Sequence, residues 1–187
     1  MAGQAPRRPR SGARNTSSPS GQRNAAPSTP RFAIVAARFN ERITTRLVEG
    51  ARQAFRAARV KAEDIEVHWV PGSYELPQAA SWLASTGRYA GIACVGVIIR
   101  GQTPHFEHVA REAAAGIRHV ALTSGIPVTF GVVTALDEQQ AWARAGGDVA
   151  NRGEEAAEAA LEMAEFSARL RSVAGNGRPR RTTGRRR

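Results

Sequence analysis

The sequence predicts a three-layer α/β/α fold built on a four-stranded parallel sheet. Four short apolar segments occur along the chain, and after each one the apolar residues change to helical spacing. Short joins between alternating strands and helices favour parallel pairing, with right-handed crossovers and helices on both faces of the sheet. The predicted strands are Phe32–Ala37, Ile65–Val70, Ile92–Ile99 and Val128–Thr134.

The helices that follow these strands begin at polar residues suited to capping. Side-chain oxygens at such positions accept hydrogen bonds from the free N–H groups of the first turn. Pro104 stands at the first position of the third helix, where proline is tolerated. Gly146-Gly147 separates a short helix over 137–145 from a last helix that runs to about Arg171. The predicted caps are Asn40, Ser73 and Thr103, and the last helix is predicted to begin at Asn151.

The formal net charge of +11 is confined to the two ends of the chain. Residues 1–30 contain five arginines and no acidic residue, and residues 175–187 contain six arginines and no acidic residue. Residues 31–174 hold 16 basic and 16 acidic residues and are formally neutral. The end segments have little apolar content to bury. We therefore expect a disordered basic arm over 1–30, one folded domain over 31–174, and a disordered basic tail over 175–187.

Composition also bears on the cellular compartment. The single cysteine, Cys94, lies inside a predicted buried strand, so a disulfide framework is excluded and a cytoplasmic location is expected. No apolar run approaches the ~20 residues of a membrane span. The Arg- and Ser-rich N-terminus is also typical of an organelle transit peptide. Pro6, Pro9 and Pro19 disfavour the amphipathic helix of a mitochondrial version, so a permanent arm is the preferred interpretation.

The segment Gly96–Val109, GVIIRGQTPHFEHV, contains the clearest local sign of a reaction site. A buried strand ends there, a Gly-containing loop follows, and a helix begins, which directs backbone N–H groups at a ligand and favours phosphate. His105, in the first helical turn, is then a candidate reaction centre, although a surface or capping role is the alternative. A metal site formed by His105, His108 and Glu107 is disfavoured because further ligands are lacking.

Three loops that follow predicted strands carry specific motifs. They read RFN at 38–40, VPGSYELP at 70–77 and RGQTPHF at 100–106. Further motifs are PVTFGVVT at 127–134, QAWARAG at 140–146 and NRG at 151–153. In order and spacing, over essentially 31–170, they resemble the 6,7-dimethyl-8-ribityllumazine synthase family. The resemblance implies a flavodoxin-like arrangement of the predicted fold.

The resemblance also implies a reaction. It is the condensation of 5-amino-6-ribitylaminouracil with 3,4-dihydroxy-2-butanone 4-phosphate, the penultimate step of riboflavin biosynthesis, by a transferase that uses no metal or cofactor. The amine attacks the ketone, an imine forms, phosphate is eliminated, and the ring closes with loss of water. His105 is implied as the group that moves protons. Holding the two substrates together is expected to supply most of the acceleration.

The resemblance assigns binding roles residue by residue. Phe39 is implied to stack on the pyrimidine, Phe130 to close the uracil site from the adjoining subunit, and Arg144 to bind the phosphate. The alternatives are ordinary ones: a core aromatic for Phe39 and a solvated helix residue for Arg144. The other implied contacts are Ser73, Tyr74 and Glu75 for the ribityl chain and uracil, main-chain groups of Val97, Ile98 and Ile99 for the pyrimidine, and N–H groups of Gln102 and Thr103 for the phosphate.

The family resemblance implies a homo-oligomer. The basic unit is a pentamer with active sites between neighbours, and the compact link over 146–153 favours assembly of twelve pentamers into an icosahedral capsid. A hypothesis from a different class is a nucleic-acid-binding or packaging shell protein. Its basic tails would bind nucleic acid without sequence preference. Tails that only add solubility are the alternative.

Overall fold

The computed structural model describes residues 30–176, and in it a parallel four-stranded sheet lies between two layers of helices. The strand order is β2-β1-β3-β4, with all neighbours parallel. The predicted fold is confirmed, and the carboxyl ends of all four strands meet at one edge of the sheet. The strands are β1 (Phe32–Ala37), β2 (Ile65–Val70), β3 (Gly91–Ile99) and β4 (Val128–Ala135).

Helices cover both faces of the sheet. The cluster on one face includes residues of α1 and α5, and the cluster on the other includes residues of α2 and α3. Two single 3₁₀ turns, Ala62–Asp64 and Ser73–Glu75, precede β2 and α2. The predicted arm and tail lie outside the described residues, except for the last residues of α5, which continues past Arg171 to Asn176. The helices are α1 (Glu41–Ala57), α2 (Leu76–Ser85), α3 (His105–Ser124), α4 (Glu138–Ala143) and α5 (Arg152–Asn176).

The two central strands form the core because both of their faces are covered. Every residue of β1 is buried, and every residue of β3 except the last is buried. Successive side chains alternate between the two clusters, as the twofold period of a strand requires. Val95 packs toward α1 and α5, whereas Cys94 packs toward α2 and α3. Burial raises the pKa of the Cys94 thiol to about 12. Among the described residues, no helix is long and apolar enough to cross a membrane.

The helices α1 and α5 approach each other closely at two glycines. A Cβ atom on Gly50 would overlap the side chain of Asn151, and a Cβ atom on Gly153 would overlap the main-chain carbonyl of Leu47. Glycine in the middle of a helix costs about 0.5–1 kcal/mol relative to alanine. Here it permits a contact between helices that no other residue would allow.

The three predicted side-chain caps are wrong. Asn40 occupies the N-cap position of α1, with a left-handed backbone (φ 62°), but its side chain makes no capping bond. Ser73 lies in a 3₁₀ turn and its hydroxyl has no partner among the described residues. Thr103 lies one residue too early, because Pro104 is the N-cap of α3 and not its first residue. The Asn40 side-chain amide instead donates to the Val97 carbonyl, and the Ser73 hydroxyl lies against Gly96.

The predicted start of the last helix is confirmed, and Asn151 caps it. The Asn151 Oδ1 atom accepts hydrogen bonds from the N–H groups of Gly153 (3.0 Å) and Glu154 (3.3 Å). These bonds satisfy donors of the first turn of α5 that have no partner within the helix.

A charged cluster surrounds Glu66 of β2, an edge strand whose residues after Ile65 are half-buried. The Glu66 carboxylate accepts hydrogen bonds from the Tyr89 hydroxyl at 2.5 Å and from the Arg88 guanidinium at 2.7 Å, and pairs with Arg31 at 3.3 Å. The Tyr89 hydrogen bond, followed by Arg88, His68 and Arg31, holds the pKa of Glu66 below its usual 4.5, although partial burial opposes the shift. Burial, followed by the neighbouring carboxylate, raises the pKa of Tyr89 to about 12.

Candidate active site

A cleft of about 710 Å³ opens at the carboxyl edge of the sheet. Its walls are the loops after β1, β2 and β3 together with the first turns of α3. Ligands of open parallel sheets bind outside the carboxyl ends of the strands, so this is the expected place for a site. The residues of the predicted site that line the cleft are Phe39, Ser73, Tyr74, Glu75, Val97, Ile98, Ile99, Thr103 and His105.

Phe39 presents an exposed ring on a fixed backbone. Its N–H donates to the Pro71 carbonyl at 3.1 Å, which ties the loop after β1 to the loop after β2. The neighbouring Asn40 side-chain amide donates to the Val97 carbonyl at 3.0 Å, which ties the same loop to β3. The side chain nevertheless remains 72% exposed. An exposed aromatic ring held in this way provides a stacking surface for a planar ligand.

The Ser73–Glu75 turn supplies polar groups to the cleft. Ser73 lines the cleft, but its hydroxyl is buried against Gly96 and has no hydrogen-bond partner among the described residues. Tyr74 is 60% exposed. The Glu75 carboxylate folds over Gly72, where a Cβ atom would lie only 3.2 Å from Oε2. Glycine at position 72 therefore leaves room for the carboxylate at the rim of the cleft.

The loop between β3 and α3 forms a small pocket of about 150 Å³ beside the cleft. Gln102 and Thr103 line it, and both are exposed. The Arg100 N–H, at the base of the loop, donates to the Ala135 carbonyl at 2.9 Å and fixes the loop to β4. The 20-residue helix α3 begins here with His105, so its free N–H groups and the positive end of its dipole lie next to an exposed imidazole. This arrangement suits an anion and a proton-transfer group side by side.

Two residues of the predicted site line neither pocket. Phe130 lies on the edge strand β4 and is 43% exposed. Arg144 directly follows α4 as its C-cap residue, and its guanidinium Nη1 donates to the Gln140 carbonyl at 3.1 Å. The structure of a single chain therefore does not bring Phe130 or Arg144 together with His105.

Comparison with known proteins assigns the fold and these motifs to a family. The sequence model of the 6,7-dimethyl-8-ribityllumazine synthase family matches residues 29–168. A chloroplastic 6,7-dimethyl-8-ribityllumazine synthase of Arabidopsis thaliana is 48% identical over 136 residues, which are 73% of this chain. The chain belongs to the 6,7-dimethyl-8-ribityllumazine synthase family. It spans 60% of the length of the Arabidopsis relative.

The family match includes every element that forms the cleft. Residues 29–168 contain all four strands, α1 to α4 and most of α5. The flavodoxin-like fold that the sequence motifs implied is thus confirmed for this lumazine synthase family member.

Sequence reasoning missed several residues that line or support the cleft in this lumazine synthase family member. Asn40 was interpreted as a local cap, whereas its side chain contacts a strand 57 residues away. His108 was considered only as a metal ligand, yet it lines the cleft one turn after His105. Over residues 30–176 no group of three or more His, Cys, Asp and Glu side chains is arranged to hold a metal ion. The other lining residues without a predicted role are Pro71, Gly72, Gly101, Phe106 and Val109.

Proposed function

We propose that this chain catalyses the condensation of 5-amino-6-ribitylaminouracil with 3,4-dihydroxy-2-butanone 4-phosphate to give 6,7-dimethyl-8-ribityllumazine. The observation that carries the proposal is the single cleft that combines an exposed ring, Phe39, a carboxylate, Glu75, and an imidazole, His105, at a helix N-terminus. Membership of the lumazine synthase family supports the choice of reaction. The test is turnover of the two purified substrates, with one inorganic phosphate released for each lumazine formed.

The pyrimidine occupies the larger part of the cleft in this proposal. Phe39 stacks on its ring, because an exposed aromatic side chain on an anchored loop loses little freedom on binding. The turn of Ser73, Tyr74 and Glu75 hydrogen-bonds the ribityl chain and uracil. Main-chain groups at the end of β3 hold the pyrimidine edge, since the side chains of Val97 and Ile98 are buried. The main-chain groups concerned are those of Val97, Ile98 and Ile99.

The butanone phosphate occupies the adjoining pocket at the start of α3. N–H groups of Gln102 and Thr103 and the helix dipole attract its phosphate, and Arg144 of a neighbouring copy adds a planar guanidinium. His105 lines the cleft that holds the amine, and its chain neighbours Pro104 and Phe106 line the phosphate pocket. We assign it the proton transfers that accompany imine formation, phosphate elimination and ring closure. Correct orientation of the two substrates supplies the larger share of the acceleration.

We propose that the reaction needs no metal or cofactor. The proton transfers and the departure of phosphate require only an acid–base group and an anion site, which His105 and the start of α3 supply. The test is turnover after dialysis against a chelator. Full activity with chelator-treated protein supports the proposal, and loss of activity restored by a divalent cation contradicts it.

We propose that the functional unit is a homopentamer whose active sites lie between neighbours. Phe130 and Arg144 line no part of the cleft in their own chain, and Phe130 is exposed on an edge strand. A neighbouring copy then completes each cleft with these residues. The short link between α4 and α5 favours the assembly of twelve pentamers into an icosahedral capsid. Native mass determination distinguishes a free pentamer from a sixtyfold assembly.

The basic end segments suggest a second activity. Residues 1–30 and 175–187 carry all of the net positive charge, so we propose that they bind nucleic acid without sequence preference while residues 31–174 perform the chemistry. We also propose a cytoplasmic location, supported by the buried, unpaired Cys94. The intact mass of protein isolated from its source tests the alternative of a cleaved N-terminal transit peptide.

A further inference from the structure

We propose that Asn151 is a positioning residue that holds Arg144 in place for phosphate, an inference that rests on the phosphate-binding role proposed for Arg144. The two residues lie at opposite ends of the link between α4 and α5. The Arg152 N–H donates to the Arg144 carbonyl at 3.0 Å, and Asn151 forms an antiparallel bridge with Ala145. The main chain at Arg144 is therefore fixed to the main chain at Asn151.

Asn151 in turn is fixed to α1. Its side-chain Nδ2 donates to the Arg46 carbonyl at 3.0 Å, while its Oδ1 caps α5. One amide thus joins α1, the link and α5 at a single point. Because α1 packs directly against the central sheet, this contact sets the distance of the link from the sheet.

Gly50 makes the contact possible. The Arg46 carbonyl lies one helical turn before Gly50, and a side chain on residue 50 would cover it. A Cβ atom there would overlap Asn151, and the close packing of Gly153 on Leu47 holds the start of α5 against the same stretch of α1. The Asn151 amide, Gly50 and Gly153 together fix the backbone from which the Arg144 side chain reaches its ligand.

A simple helix cap is the competing interpretation, and Asn151→Asp separates the two. Aspartate keeps the oxygen that caps α5 but loses the N–H group that binds the Arg46 carbonyl. For a positioning role, we expect the KM for the butanone phosphate and the inhibition constant of inorganic phosphate to rise about threefold to tenfold. The KM for the pyrimidine should stay close to the wild-type value, while the melting temperature falls because the Arg46 carbonyl then faces a carboxylate. Wild-type constants for both phosphate ligands would overturn the inference, as would an equal rise of both KM values.

Gly50→Ala perturbs the contact from the other helix without removing a hydrogen-bonding group. It should raise the same two phosphate constants, because the added methyl displaces the Asn151 amide. Gln53→Ala, an exposed position on the same helix, is the matched control and should change neither. Phosphate constants for Gly50→Ala equal to those of the control would contradict the inference.

A double-mutant cycle separates the inference from the proposed function. In an Arg144→Ala background, Asn151→Asp should produce no additional rise in the phosphate inhibition constant, because Asn151 acts through Arg144. If Arg144→Ala alone leaves both phosphate constants unchanged, the proposed role of Arg144 is wrong and the inference is overturned with it. If Arg144→Ala raises them and Asn151→Asp does not, only the inference is overturned.

Discussion

The Asn40 side-chain amide donates a hydrogen bond to the Val97 carbonyl at 3.0 Å and joins two positions 57 residues apart in the chain. The Asn40 backbone is left-handed (φ 62°), a conformation that asparagine adopts more readily than most residues. The bond connects the loop that carries Phe39 to the strand end that lines the same cleft. Asn40 therefore sets the separation of two walls of the proposed pyrimidine site.

Replacing Asn40 should lower both the free energy of unfolding and the affinity for the pyrimidine. Asn40→Asp removes the donor and leaves the Val97 carbonyl facing a carboxylate, so we expect a loss of about 1–3 kcal/mol in the free energy of unfolding. Asn40→Gly should lose a comparable amount, because it accommodates the backbone but lacks the amide. Denaturant titration measures the first effect and the KM for the pyrimidine the second. The control is Arg42→Ala, an exposed residue of α1, and equal stability of Asn40→Asp and this control would contradict the prediction.

The contrast between the strands and the caps explains what the sequence could predict. Uninterrupted apolar runs located all four strands to within a residue, because burial on both faces demands such runs. The caps depended on which neighbour a polar side chain finds after folding. Asn40 finds Val97, and Ser73 lies against Gly96, so no local pattern could reveal either contact.

The candidate site was predictable for a different reason. Its residues follow strands in a parallel sheet, and the fold alone brings the loops after β1, β2 and β3 to one edge. Gly50 was not recognised because its partner, Asn151, is 101 positions further along the chain. Phe130 and Arg144 were assigned by the family resemblance, and the fold of a single chain leaves both outside the cleft.

His105→Ala should lower the turnover rate by about 10²–10⁴-fold, the usual range for a lost acid–base group, because substrate orientation survives the change. The dependence of the rate on pH should flatten, because the group that moves the proton is lost. His119→Ala, an exposed histidine on the same helix, is the matched control and should keep the wild-type rate and profile. An unchanged pH–rate profile in His105→Ala would mean that another group moves the proton.

Arg144→Ala should weaken the butanone phosphate selectively. A charge-assisted contact contributes about 1.5–3 kcal/mol, so the KM for this substrate should rise by about one to two orders of magnitude while that for the pyrimidine changes little. Arg144→Lys keeps the charge but loses the planar fork and should recover only part of the affinity. Arg118→Ala, an exposed arginine of α3, provides the control. Equal increases in both KM values would refute the assignment.

Because of the charged cluster around Glu66, the stability of the folded protein should fall as the pH becomes acidic. Because the folded protein holds the pKa of Glu66 below 4.5, its carboxylate stabilises the fold above that pH, and the contribution is lost as the pH falls through the folded-state pKa. Glu66→Gln should therefore lower the melting temperature at pH 7, and the gap from wild type should shrink as the pH falls below 4.5. Glu63→Gln is the control, because it removes an exposed carboxylate that is close in sequence but lies outside the cluster. A gap for Glu66→Gln that stays constant down to pH 3 would argue against the ionic origin.

The arginine-rich ends should be separable from the chemistry. A variant without residues 1–28 and 177–187 loses eleven arginines and no acidic residue, while it keeps Arg31, which pairs with Glu66, and all of α5. We expect this variant to turn over the two substrates at the wild-type rate and to keep the native mass of the intact assembly. A large fall in turnover would show that an end segment contributes to the active site of its own or a neighbouring chain.

The same two proteins test nucleic-acid binding. The shortened chain is formally neutral, whereas every intact copy adds eleven positive charges that neutralise phosphates and release counterions. Intact protein should therefore retard RNA and DNA of unrelated sequence, with log affinity falling against log salt by about 0.7–0.9 for each phosphate contacted. The shortened protein should retard neither at any salt concentration. Equal retardation by both proteins would place the binding surface within residues 29–176, and no retardation by either would leave the arginines with a role in solubility, because a high net charge keeps assemblies apart.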